Sequence, residues 1–297
     1  MYSLSSGKIH IGISSITDSA VIVVPVRRQS SMNNEAAFEA TMMRVEHKFP
    51  MNDEQQAEFL KRAMPHLRPD RYPEYDLHNI YYDTADNALI INCLNHPQYK
   101  EKLRLRTYGE PNDSTPCYLE IKKKFRETGV KRRIAVSETE AHRYMQDRIR
   151  PDDDSQIARE IEYLVEQRDL KEKMFIAYHR KAFSGITEAD LRITFDTDIC
   201  YRLNNLSLHK TGEETMITDP DEVLMEVKVS NRYPIWLTEI LSDMKLYRRT
   251  FSKYGTIYAE LTAKTQNEPT HYTMKPAGNQ KPAAGIRKEN KQCLAQF

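Results

Sequence analysis

Between Tyr99 and Gly109 the chain reads YKEKLRLRTYG, with Lys102, Arg104 and Arg106 at alternate positions and Leu103 and Leu105 between them. Such a period of two belongs to a strand whose two faces meet different surroundings. The leucines need a core. The cations repel one another, by about 4 kcal/mol for a pair roughly 4 Å apart at an effective dielectric near 20, so their face needs water or an anion.

The same alternation recurs along the chain. In RVEHKF, Arg44, Glu46 and Lys48 oppose Val45 and Phe49, with His47 on the apolar side, where packing is its expected role. In YLEIKKK, Tyr118, Glu120, Lys122 and Lys124 oppose Leu119 and Ile121; in DLRITFD, Arg192, Thr194 and Asp196 oppose Leu191, Ile193 and Phe195. In LMEVKV, Glu226 and Lys228 oppose Met225, Val227 and Val229. Two architectures accept strands of this kind. An open sheet buries the apolar face under helices and leaves the ionic face in water; a closed sheet puts helices outside and lines a wet interior with charge. Glutamate set among arginines suits a polyanion with a divalent cation, because guanidinium groups fork onto phosphate oxygens while carboxylates hold magnesium or manganese. Internal ion pairing is the competing account of Glu46 and Glu120.

The remaining pattern mixes strands and helices without a regular βαβ alternation. NDEQQAEFLKRAM is a helix with Asn52 or Asp53 placed to cap it. NIYYDT, EKLRLRTYG, CYLEIKKKF and VKRRIAV form an antiparallel meander, separated by turn residues such as Pro111, Asn112 and Gly129. A helical pair follows, SETEAHRYMQDRI and DSQIAREIEYLVEQR, the second with Ile157, Ile161, Leu164 and Val165 on one stripe. Strands resume with KMFIAYHRKAF, LRITFDTDICYR and VLMEVKVS before a helix PIWLTEILSDMKL and a last segment, SKYGTIYAEL. Residues 1–42 lack sustained periodicity and read as a disordered leader, with Met42 or Met43 as an alternative start; residues 266–297 read as a disordered tail. The folded unit is expected over residues 43–265.

Composition excludes several classes. Of 297 residues, 39% are hydrophobic and 29% charged, which is the balance of a soluble globular chain. With 44 Lys and Arg against 43 Asp and Glu the formal charge is +1, so an anion site must arise from local segregation, and specific nucleic-acid binding is not expected. Cys93, Cys117, Cys200 and Cys293 form neither a CxxC pair nor a zinc spacing, as suits reduced thiols in the cytoplasm. The apolar run AVIVVPV is interrupted by Pro25 and is too short to span a bilayer.

The ordered set EHK, KLRLR, LEIKKK, YHRKAF, LRITFD, LMEVKV and FSKYG resembles the catalytic domain of the vacuolar transporter chaperone polyphosphate polymerases and their bacterial relatives, within the triphosphate tunnel metalloenzymes. The resemblance covers nearly all of residues 43 to 260. It implies an α+β fold in which a closed antiparallel β-barrel forms a tunnel with helices packed outside. It further implies that Lys48, Arg104, Arg106, Lys122, Arg180, Arg192 and Lys253 bind phosphate, that Arg104, Arg106, Lys122 and Glu226 carry catalysis, and that Glu226 holds Mn2+ or Mg2+, with Glu46 and Glu120 as further metal candidates. Where yeast-type relatives have a lysine three positions before the SK lysine, this chain has Thr250, preceded by Arg248 and Arg249, either of which could substitute by reach.

The expected activity is metal-assisted transfer of the γ-phosphoryl group of ATP to a growing polyphosphate chain, with ATP and polyphosphate as the ligands and a membrane protein as a conceivable recipient of product. Hydrolysis of a triphosphate on the same fold, and non-catalytic polyphosphate binding, are the alternatives. Tyr81 and Tyr82 are candidates for stacking an adenine, against a core role for both.

Overall fold

The computed structural model describes residues 45–265 except His96, Asp113, Ser114, Glu127 and Asn231. The expected leader and tail, and Arg44, lie outside the described residues. Nine strands make one sheet: β1 (Val45–Asn52), β2 (Leu67–Asp83), β3 (Tyr99–Tyr108), β4 (Cys117–Phe125), β5 (Thr128–Val136), β6 (Lys171–Gly185), β7 (Arg192–Arg202), β8 (Thr215–Met216) and β9 (Glu222–Val229). Six α-helices accompany them among the described residues: α1 (Asp53–Ala63), α2 (Ala88–Leu94), α3 (Glu138–Asp147), α4 (Gln156–Arg168), α5 (Ile235–Asp243) and α6 (Lys253–Thr265). The strand order is β1-β9-β7-β6-β2-β3-β4-β5, with β8 paired to β7, and every pairing is antiparallel.

The apolar sides of the strands lie where the alternation places them. Leu103, Leu105, Leu119, Ile121 and Ile134 pack beneath Ala141, Tyr144 and Met145 of α3 and Ile161, Leu164 and Val165 of α4. Phe49, Ile193, Phe195, Met225 and Val227 pack beneath Phe59 and Ala63 of α1 and Leu237, Ile240 and Leu241 of α5. Burying each such side chain contributes about 1.5–3 kcal/mol, so the two packed layers fix which face of every strand is left for the ions. Asn52, not Asp53, caps α1: its side chain accepts from Gln55 N at 2.8 Å and the Gln55 side chain returns the bond at 3.0 Å.

Two expectations are corrected. No ladder joins β1 to β5 among the described residues, so the sheet is not a closed barrel. The free edge of β1 is instead taken by a single bridge in which Arg249 N donates to Lys48 O at 2.8 Å, which occupies the edge β5 would have needed. The sheet nonetheless curls, because Glu46 of β1 meets Lys122 of β4 at 3.6 Å although most of the sheet lies between those strands.

Nor are all the helices outside. A third apolar cluster joins Tyr81, Tyr178 and Leu224, from the inner faces of β2, β6 and β9, to Ile90 and Cys93 of α2 and Tyr254 and Ile257 of α6. The first turn of α6 thereby seats on the ionic side and gives that concavity a floor. Asp83 ties the two helices together: it accepts from Leu89 N and Ile90 N at the start of α2, at 2.8 and 3.0 Å, and from Tyr254 Oη at 3.1 Å.

Candidate functional site

The ionic faces of the strands converge on two centres, each built around a buried glutamate. Glu226 on β9 is the first. Its Oε1 lies 3.5 Å from Lys48 Nζ and 3.6 Å from Lys253 Nζ; its Oε2 lies 3.1 Å from Lys228 Nζ and 3.2 Å from Arg180 Nη2. Asp196, wholly buried on β7, accepts both Nε and Nη2 of Arg180 at 2.5 and 2.6 Å and also pairs with Lys253. Burial acts to raise the Glu226 carboxyl, but Lys228, Lys48, Lys253 and Arg180 together hold it well below the usual carboxylate range.

Glu120 on β4 is the second centre and is 1% exposed. Arg104 donates to its Oε2 from Nε and Nη2 at 2.9 and 2.8 Å, Lys131 lies 2.6 Å from its Oε1, and Arg106 and Arg133 stand at 3.8 and 4.0 Å. These four cations come from β3 and β5, the neighbours of β4 on either side, so register alone delivers them. Burial, reinforced by Arg106 and Arg104 against the pull of Glu120, brings the Lys131 ammonium down to about 7. Arg104 also donates to Tyr81 Oη at 3.1 Å; burial would raise that phenol, yet Arg104, Arg106 and Lys102 bring it down to about 8.

Aromatic and amide groups connect the two centres. Arg106 donates to Asn79 Oδ1 at 2.7 Å and to Tyr178 Oη at 3.1 Å, and the Tyr178 ring carries Lys253 Nζ 4.2 Å and the Arg180 guanidinium 5.3 Å from its centroid. Glu46 completes the ring, 3.4 Å from Lys48 and 3.6 Å from Lys122. The floor is bonded to the walls, since Lys48 Nζ donates to Phe251 O and Lys102 Nζ to Ser252 Oγ, each at 2.9 Å.

Of the residues nominated from sequence, Lys48, Arg180, Glu226 and Lys253 share the first centre, Arg104, Arg106 and Glu120 the second, and Glu46 and Lys122 lie between. Arg192 is set apart: it pairs with Asp70 at 2.8 Å and donates to Tyr75 Oη at 3.3 Å, near the end of the concavity away from α6. Tyr81 stacks on Tyr254, with centroids 4.8 Å apart, and Tyr82 is buried among the apolar residues, so neither is open to a base. His47 contacts Tyr233 on the outer side, Nδ1 to Oη 2.6 Å. Arg248, Arg249 and Thr250 are exposed. Lys131, Arg133, Lys228 and Asp196 were not nominated. The alternation in VKRRIAV already separates Lys131 and Arg133 from Val130, Arg132 and Ile134, and Arg132 pairs with Glu160 of α4 at 3.0 Å on the other side.

A divalent cation at this site would need oxygen donors from this set. Among the described residues there is no group of three or more His, Cys, Asp or Glu side chains arranged to hold a metal. The set fits a cation that brings phosphate oxygens with it, since magnesium is commonly held by one or two carboxylates plus substrate. Glu46 and Glu226 flank Lys48, and Thr194 Oγ1, in register with Glu226, is buried without a hydrogen-bond partner among the described residues. Glu120 fits less well: its Oε2 accepts twice from Arg104 and its Oε1 has Lys131 Nζ 2.6 Å away.

No protein of curated function matches the chain by sequence. Among solved structures, a Bacillus halodurans protein assigned provisionally as an adenylate cyclase is 12% identical, with 71% of this chain and 96% of that chain covered and a TM-score of 0.45. HpAC1 from Hippeastrum, an adenylyl cyclase candidate described as having a dominant triphosphatase activity, is 12% identical over 77% of this chain and 98% of that one, with a TM-score of 0.46. The model of one family, the VTC domain, matches residues 43–262, and the chain belongs to that family.

Proposed function

We propose that the concavity binds the triphosphate of a nucleotide and passes the γ-phosphoryl group to the end of a polyphosphate chain. The observation that carries this reading is the convergence of cations from β1, β3, β5, β6, β9 and α6 on the buried Glu226 and Glu120, with Lys122 of β4 beside Glu46, inside one curled sheet. Phosphoryl transfer asks mainly for in-line positioning and charge stabilisation, and fixed guanidinium and ammonium groups supply both. On binding, phosphate oxygens replace carboxylates as partners of Lys48, Arg104, Arg106, Arg180 and Lys253. Arg180, which donates from Nε and Nη2 to the two oxygens of Asp196, keeps its orientation through that exchange. A magnesium or manganese ion held by Glu226 and Glu46 would add charge neutralisation at the phosphates.

A water nucleophile benefits from a positioned base, whereas a polyphosphate end is already anionic and needs none. In the ion-paired arrangement burial acts to raise Glu46 and Glu120, but Lys122 and Lys48 around the first, and Arg104, Arg106 and Lys131 around the second, hold both well below the usual carboxylate range. Incubation of the purified full chain with ATP and Mn2+ or Mg2+, followed by gel separation, is expected to give polymer; orthophosphate alone would move the assignment to hydrolysis, and salt-dependent binding without turnover to a binding module.

A further inference from the structure

Three tyrosines stand where the Arg104–Arg106 row leaves the ionic centres. Tyr108 follows Arg106 by two residues on the same face of β3, Tyr118 on β4 is in register with Arg106, and Tyr75 on β2 is in register with Arg180. Their rings touch edge to face or tilted, Tyr108 to Tyr75 at 5.7 Å and Tyr108 to Tyr118 at 6.0 Å between centroids. Cations surround them: Arg133 lies 4.3 Å over Tyr118, Arg106 lies 5.9 Å from the Tyr108 centroid, and Arg192 donates to Tyr75 Oη. Unlike Tyr81, Tyr178 and Tyr254, which are spent inside the floor, Tyr108 is 36% exposed. The Tyr108 ring is thus fixed by two neighbours and open to water.

We infer that Tyr108, braced by Tyr75 and Tyr118, is the nucleobase subsite of this concavity. The inference rests on the triphosphate reading above and adds to it where the rest of the nucleotide lies. Two residues along a strand advance about 7 Å, a distance a ribose spans between the last phosphate and the base. A triphosphate gripped by Arg106 and the residues behind it therefore delivers its base onto Tyr108, on the side away from α6. Stacking on a tyrosine face accepts any base, because every base has a π-face and none of the three rings offers a patterned set of donors and acceptors. The subsite takes purine and pyrimidine nucleotides with weak discrimination, and inorganic tripolyphosphate does not use it.

The test measures ATP and inorganic tripolyphosphate binding by calorimetry, without metal, for the wild-type chain, Tyr108→Ala and Tyr108→Phe. Base stacking contributes about 1–3 kcal/mol by alanine substitution, so Tyr108→Ala is expected to weaken ATP about tenfold while leaving tripolyphosphate unchanged, and Tyr108→Phe to restore ATP. Equal weakening of both ligands by Tyr108→Ala would overturn the inference, since that reports damage to the phosphate site or the fold; so would an unchanged ATP affinity. If the wild-type chain binds neither ligand, the triphosphate reading falls and takes the subsite with it. If tripolyphosphate binds and Tyr108→Ala leaves ATP alone, only the subsite falls.

Discussion

Glu120 shows how one buried carboxylate constrains its cations. Burial raises the cost of its charge, and Arg104, Arg106 and Lys131 more than offset that cost. Breaking a buried ion pair from one side costs about 3–5 kcal/mol, and because Lys131, Arg106 and Arg133 remain beside Glu120, Arg104→Ala should cost about 2 kcal/mol in urea denaturation. Adding Glu120→Gln should lower stability further, since those three cations then face a neutral amide; a double variant more stable than Arg104→Ala would break this account. Glu226 is a parallel case. Glu226→Gln leaves Lys48, Lys228, Lys253 and Arg180 facing a neutral amide, so the melting temperature should fall at low salt. Tripolyphosphate should then raise that temperature more in the variant than in the wild type, as thermal-shift measurements would show.

Between elements, polar contacts decide how helices are attached to the sheet. His142 on α3 reaches Glu138 one turn earlier and Glu172 at the start of β6. Hydrogen bonds to Glu138 and Glu172 outweigh burial and raise the imidazole from 6.5 to about 9. A group whose pKa is higher folded than unfolded stabilises the fold fully below its unfolded value and loses that contribution as pH rises through its folded value. The stabilisation from His142 is therefore complete below about pH 6.5 and lost through about pH 9. Melting curves for wild type and His142→Ala should be well separated at the acidic end of that window and draw together at its alkaline end. A separation independent of pH would assign His142 to packing alone.

At the scale of the molecule, a chain of formal charge +1 gathers an excess of cations on one concave face: Arg104, Arg106, Lys131 and Arg133 share Glu120, and Lys48, Lys228, Lys253 and Arg180 share Glu226 and Asp196. If the proposed function holds, tripolyphosphate affinity measured without metal should fall with rising salt. Glu46→Gln, which frees Lys48 and Lys122 from a shared acid, should tighten binding and steepen the salt dependence. Among the described residues no helix is long and apolar enough to cross a membrane.

The alternation of period two was enough to say, from the residues, which side of β1, β3, β4, β7 and β9 carries ions and which packs beneath helices. It also separates Lys131 and Arg133 from Arg132. That much is local, because a strand's pleat assigns faces whatever else the chain does. Resemblance, not alternation, suggested Lys48, Arg180 and Lys253 as companions of Glu226. What only the tertiary structure decided is long-range: that Glu46 and Lys122 meet across a curled sheet, that Arg249 takes the edge of β1 and leaves the barrel open, and that α6 turns inward so that Tyr81 and Tyr178 form a floor. Strand order and curvature arise from pairings between residues far apart in the chain, and a two-residue period carries no information about which strand will be the neighbour.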